Sequence, residues 1–275
     1  MKLTINILRI YVCLLVIVSP VFAVDVKDKG NVVEIRTDQY QLTWKESERM
    51  GYNRAVPAGV KDSLIETPDN PFFHGGDYAG WEYWGSTDKV KIIEQSLGKA
   101  VIEYTSKGTQ IIAYSVVATY WDGVPFFKHE VRGKNISNEG RVWPISGYDP
   151  MVDPGIPFRD DKRVKIWKEP PIPHVAYWTE DAYLGLYAAN SKAKPKLGDW
   201  RGDGDLIQLD HDLQAVLLEK KQWGDPIIYF VALGQGGEAE AHAIANQVSK
   251  ALEEEPHAVA PTGKIPILWA RLKAD

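Results

Sequence analysis

The sequence predicts an all-β protein, a large antiparallel β-sandwich with one C-terminal amphipathic helix. Three observations carry that prediction. Short runs of alternating apolar and polar residues recur between residues 32 and 233, rich in Val, Ile, Tyr and Trp and bounded mostly by Gly, Asp, Asn or Pro. No helical period alternates with them, which points to stacked sheets rather than a βαβ arrangement. Only residues 238–254 change period: Ala241, Ile244, Ala245, Val248 and Leu252 recur at three- and four-residue spacing behind an acidic start.

In chain order, the first segment reads as an export signal. Lys2 and Arg9 precede an apolar run over 10–18, Ser19-Pro20 breaks it, and Val21 and Ala23 stand at the positions signal peptidase inspects. Cleavage after Ala23 is expected. The apolar run is about half the ~20 residues a membrane-spanning helix requires, so no integral membrane segment is expected in the mature chain. The mature protein is then secreted or periplasmic. Cleavage also removes Cys13, the only cysteine, so neither disulfides nor thiol chemistry remain and core burial alone must hold the fold.

Strands are expected over 32–36, 40–44, 89–94, 100–105, 110–121, 124–132, 163–167, 175–179, 183–189, 206–210, 213–221 and 227–233. Segments 53–80 and 144–161 are rich in Pro, Gly and Asp and read as long loops, which in a compact domain are usually functional. No repeat or linker interrupts residues 24–275, which read as one domain.

Two hairpins can be read in register. Asp122-Gly123 reads as a two-residue turn pairing Trp121 with Val124 and Val116 with His129. His129 then falls on the apolar face with Tyr114, Val116, Ala118 and Val131, as a core histidine with a satisfied ring. A second turn at Glu180-Asp181 pairs Trp178 with Tyr183, Ala176 with Gly185 and His174 with Tyr187. His174, Trp178, Tyr183 and Tyr187 share one face, Val175, Tyr177, Leu184 and Leu186 the other. Ala176 and Gly185 leave a hollow in the aromatic face, which is either an open sugar platform or a gap that a core side chain fills.

The chain carries 32 Lys and Arg against 37 Asp and Glu, a net charge of -5, and an acidic balance argues against a nucleic-acid partner. Ten Trp beside 13 Tyr exceed what an ordinary core needs.

The runs Val33-Glu34-Ile35 and Tyr40-Gln41-Leu42-Thr43-Trp44, the 114–134 hairpin, and Tyr229-Phe230-Val231-Ala232-Leu233 with the segment after it resemble the galactose-mutarotase-like β-sandwich superfamily, which includes domains of polysaccharide lyases and related glycan-processing proteins. The resemblance is a rhythm of strands over most of the mature chain. It implies a concave sheet face and a polysaccharide or oligosaccharide ligand, and no catalytic residue is carried over from it.

The densest candidate site is residues 71–84, Pro-Phe-Phe-His-Gly-Gly-Asp-Tyr-Ala-Gly-Trp-Glu-Tyr-Trp. Glycines let backbone approach a ligand, and Trp81 and Trp84 offer flat faces to a sugar ring. The same loop could instead pack its aromatics onto the domain. With the 174–187 platform, where Trp178, Tyr183 and Tyr187 would hold sugar, this gives two functional readings. In an enzyme of lyase or epimerase type, His74 or His174 would be the base, Arg163, in the basic stretch 159–168, the carboxylate clamp, and Tyr83 the acid. In a non-catalytic glycan-binding module, stacking alone would suffice.

The remaining signals are weaker. The aspartates of 198–205, with Asp210 and Asp212, could wrap calcium but lack the closing Glu of a full loop, so no metal and no cofactor is expected. Asn135-Ile136-Ser137 is a formal glycosylation acceptor. His242 and His257 read as structural or solvated.

Overall fold

The computed structural model describes residues 24–46, 50–65, 72–77, 81–83, 86–108, 111–143, 149–153, 163–169, 171–189, 193–198, 206–211 and 216–256. The side chains of 73–77, 81–83, 142, 143, 211 and 216 lie outside that description, as does the export signal read over residues 1–23.

In chain order the strands are β1 (Asp25–Asp28), β2 (Val32–Arg36), β3 (Tyr40–Lys45), β4 (Gly51–Pro57), β5 (Phe72–Asp77), β6 (Trp81–Tyr83), β7 (Thr87–Gln95), β8 (Lys99–Ser106), β9 (Ile112–Trp121) and β10 (Phe126–Asn135). There follow β11 (Arg141–Trp143), β12 (Asp149–Val152), β13 (Arg163–Trp167), β14 (His174–Trp178), β15 (Ala182–Ala188), β16 (Ala193–Gly198), β17 (Leu206–His211), β18 (Val216–Leu218) and β19 (Ile227–Gln235), and then helix α1 (Glu238–Glu253). A nine-stranded sheet runs β1-β2-β3-β4-β5-β12-β17-β16, with β6 added to β5. An eight-stranded sheet runs β13-β14-β15-β19-β10-β9-β8-β7, and β11 pairs with β18. Every pairing is antiparallel, so the fold class expected from the sequence is the one observed. No helix among the described residues is long and apolar enough to cross a membrane.

Strand alternation builds the core between the sheets. Leu42, Trp44, Tyr52 and Phe72 come from the nine-stranded sheet, and Tyr104, Tyr114, Val116, Tyr177, Leu184 and Val231 from the eight-stranded one. Trp44 stacks on Tyr104 at 3.8 Å and its indole N–H donates to Thr87. His129 is a satisfied core residue, as read: Tyr52 lies 2.8 Å from Nε2 and Tyr229 2.6 Å from Nδ1. Tyr52 also meets Tyr120 at 2.6 Å, and Tyr120 meets Tyr104 at 3.1 Å. A hydrogen-bonded chain of four phenols and one imidazole thus crosses the core from β4 to β8 and β19. Burial raises all four phenols well above their ordinary titration range, so they stay protonated.

Helix α1 forms where the period changes. Glu238 and Glu240 sit in its first turn and Lys250 in its last, matching the helix dipole, and the Glu240 carboxylate accepts from the Gly237 N–H at 2.8 Å. Ala241, Ile244, Ala245 and Val248 face the outer surface of the eight-stranded sheet and pack with Trp121, Phe126, Trp178, Tyr183, Tyr187 and Phe230. Small residues at 241 and 245 let the helix lie close to the strands. The eight-stranded sheet is therefore covered on both faces here, and the molecule is locally three layers deep.

Two expectations are corrected. The segments read as loops contain most of β4 and all of β5 and β12. The reading missed these because Gly51, Pro57, Gly75, Gly76 and Pro150 interrupt the alternating pattern, and tertiary pairing overrides it. The β9–β10 register is shifted by two residues: Tyr120 pairs with Phe127 and Ala118 with His129, because Asp122–Pro125 together make the turn. A two-residue shift preserves the faces, so His129 still points into the core.

Candidate functional site

The middle of the nine-stranded sheet is built from the segment the sequence singled out. β5 carries two consecutive glycines, Gly75 and Gly76, which pair on one side with Tyr83 and Glu82 of β6. On its other side Gly75 pairs with Asp149 of β12 and His74 with Pro150. One row across three strands is thus Tyr83, Gly75, Asp149. Phe72, Val152 and Ile207 belong to the core between the sheets, whereas Met151 and Leu206 form a separate small cluster on the opposite face. By alternation Asp149 and Gln208 share that opposite face.

Both polar residues are enclosed. Asp149 is 2% exposed and Gln208 5% exposed, and the Gln208 amide donates to Asp149 Oδ2 at 2.9 Å. A carboxylate taken out of water must be hydrogen-bonded, and the amide fixes its orientation. Gly198 packs closely beside them: a Cβ there would lie 2.8 Å from Leu206 Cδ2 and 3.3 Å from the Gln208 oxygen. The arrangement offers a fixed acceptor and an amide beside a stretch of backbone without side chains, with an aromatic strand next to it. Asp149 and Gln208 were missed by the sequence reading. Asp149-Pro150 falls in a segment flagged only for its Pro, Gly and Asp content, and Pro150 hid the strand.

The residues named from sequence are dispersed. His74 lies on β5, and Trp81 and Tyr83 on β6; their side chains, and all of Trp84, are outside the described residues. Arg163 starts β13, the edge strand of the other sheet, where its guanidinium is exposed and 3.8 Å from the Glu180 carboxylate. His74 and Tyr83 therefore share one sheet and Arg163 belongs to the other.

The β14–β15 hairpin has the predicted register, with His174 opposite Tyr187, Ala176 opposite Gly185 and Trp178 opposite Tyr183. Its aromatic face is not an open platform, because α1 covers it. The Tyr187 ring fills the hollow: a Cβ at Gly185 would be 2.8 Å from Tyr187 Cε2. The Tyr187 hydroxyl donates to the carbonyl of Ala241 in α1. Trp178 and Tyr187 are buried in that layer.

His174 is fully enclosed. It stacks between Trp167 at 4.5 Å and Tyr187 at 5.0 Å. Nδ1 faces the Ile172 carbonyl at 2.9 Å and so carries the proton, leaving Nε2 to accept from His242 Nδ1 at 3.2 Å. Burial, and secondarily the neighbouring His242, lower its pKa to about 4, against the opposing bond to Ile172. His242 is accordingly a partner of His174, not a solitary solvated residue.

Other candidates resolve simply. Asn135 is buried and its amide donates to the carbonyls of Glu139 and Leu218, so the glycosylation acceptor is closed. Asp210 pairs with Lys196 at 2.8 Å, while residues 199–205, Asp212 and His257 lie outside the described residues. Among the described residues no group of three or more His, Cys, Asp or Glu could hold a metal ion.

No protein-family profile matches the chain, and no curated protein matches it in sequence. Solved structures with a similar course of the backbone include carbohydrate-active enzymes. An alpha-galactosidase from Geobacillus stearothermophilus is 8% identical with a TM-score of 0.48, over 74% of this chain and 40% of its own. A polysaccharide lyase is 12% identical with a TM-score of 0.49, over 77% and 35%. The YidC insertase is 10% identical with a TM-score of 0.44, over 90% and 50%. The chain spans half the length of these proteins or less.

Proposed function

We propose that this chain is an exported carbohydrate-binding β-sandwich that holds extracellular polysaccharide at the middle of its nine-stranded sheet. The observation that carries the reading is the row Tyr83, Gly75, Asp149, with the Asp149 carboxylate fixed by Gln208. A pyranose presents an apolar face and a rim of hydroxyls. A buried acceptor, an amide and a glycine-cleared backbone beside Trp81 and Tyr83 suit both aspects. Binding is the better-supported half of the proposal, because the base, clamp and acid expected for a lyase fall on two different sheets.

Affinity electrophoresis through gels containing plant, algal and host polysaccharides tests it. Retention by at least one is expected. Stacking on one aromatic ring is worth on the order of 1 kcal/mol, so Trp81→Ala should weaken retention several-fold with an unchanged thermal midpoint. Unchanged retention of a folded Trp81→Ala variant would remove this hairpin from the site. Incubating the protein with uronate-containing polymers, while following absorbance from new carbon–carbon double bonds, separates a binder from a lyase.

A further inference from the structure

A cleft of about 380 Å³ lies at the end of the sandwich where α1 meets the sheet, within the range of roughly 300–1,000 Å³ typical of small-molecule sites. Its apolar wall includes Ile244, and its polar groups are Tyr183, Gln39, Gln235, Gln247 and Glu240. They converge from the β2–β3 turn, β15, β19 and the helix, so the site exists only in the assembled fold. Among the described residues no lysine or arginine lines it.

Tyr183 is the informative residue. It is 3% exposed, yet its hydroxyl makes no hydrogen bond with any described residue, while its ring lies over Gly234, where a Cβ would be 2.6 Å from the phenol oxygen. The enclosed side-chain atoms without a partner among the described residues do not include this hydroxyl, so it opens onto the cleft, where it can donate to a ligand. Burial, reinforced by Glu240, raises its pKa, so the group is a donor at every physiological pH. Gln235 is exposed at the rim of the cleft. It lies across Gly59, a residue at φ +76°, where a Cβ would be 2.0 Å from the amide nitrogen.

We infer that this cleft is a second binding site, separate from the sheet site proposed above, for an uncharged polyhydroxylated ring of pyranose type. The chemistry selects that class. A phenol donor, three amides that both donate and accept, and one carboxylate acceptor match a rim of hydroxyls, while the Ile244 side matches an apolar ring face. The absence of a lining cation disfavours uronates and phosphates, whose charge would meet only Glu240.

Isothermal titration with the methyl glycosides of glucose, galactose, mannose and glucuronic acid tests the inference. At least one neutral glycoside should bind, and the glucuronide should bind more weakly. Tyr183→Phe should weaken the neutral glycoside roughly five- to tenfold, the loss of one hydrogen bond, without lowering the thermal midpoint. A merely structural hydroxyl would show the reverse. Ala243→Trp, on the exposed wall of the cleft, should abolish binding, whereas Trp81→Ala should leave it intact, which separates this site from the sheet. The inference fails if no neutral glycoside binds the wild-type chain, if Tyr183→Phe binds as well as wild type, or if the glucuronide binds best.

Discussion

His174 sits between Trp167 and Tyr187 with its pKa lowered to about 4, whereas the same side chain in an unfolded chain titrates near 6.5. Between those values the unfolded chain takes up a proton that the folded one refuses. The stabilisation linked to this residue is therefore complete above pH 6.5 and is lost as the pH falls toward 4, an effect of at most about 3 kcal/mol. Denaturant titrations at pH 7 and pH 4.5 should show wild type losing stability more steeply than His174→Gln. Parallel losses would show that other groups govern the acid limb. At this scale the sequence was uneven in what it revealed. His129 could be placed among core residues because alternation is strong around it. Asp149 could not, because the proline beside it breaks the pattern that marks a strand.

The β14–β15 hairpin separates what an element reveals from what it conceals. Its register was legible residue by residue, since cross-strand pairing follows from the turn. The helix that closes over it was legible too, from its apolar spacing. What neither pattern contains is their contact: a row of aromatics on a strand reads alike whether it faces sugar, water or a helix. The consequence for Gly185 is testable. A methyl group there would stand 2.8 Å from the Tyr187 ring and 3.0 Å from Ala176, so it must displace the ring that anchors the first turn of α1. Gly185→Ala should lower stability by about 1–3 kcal/mol, as overpacking does, with a loss of helical circular dichroism. A variant as stable as wild type would mean that the interface is looser than its distances imply.

Across the whole molecule, the phenol–imidazole chain ties the sheets together. Tyr52 is its one member from the nine-stranded sheet, so within this chain the links from that sheet to Tyr120 and His129 both pass through its hydroxyl. Tyr52→Phe leaves two enclosed groups each short of a partner and should destabilise by about 2 kcal/mol, against about 1 kcal/mol for Tyr104→Phe, which removes only a terminal link. Equal values from chemical denaturation would show that the members act independently. The sandwich class was legible in the sequence because many short strands carry it jointly. The order of strands within each sheet was not, because pairing partners far apart leave no local trace.

That order has a consequence in time. In the eight-stranded sheet, β19 lies between β15 and β10 and, among the described strands, is the one that joins β13–β15 to β7–β10. It is also the last of the described strands to be synthesised. Until residues 227–235 emerge, the sheet exists as two separate halves, each with an open edge of unpaired amides and carbonyls facing the gap. Joining the two halves therefore waits for one late strand to be inserted, and contacts this distant in sequence form slowly. During that wait the rims of β10 and β15 are the most adhesive surfaces of the nascent chain.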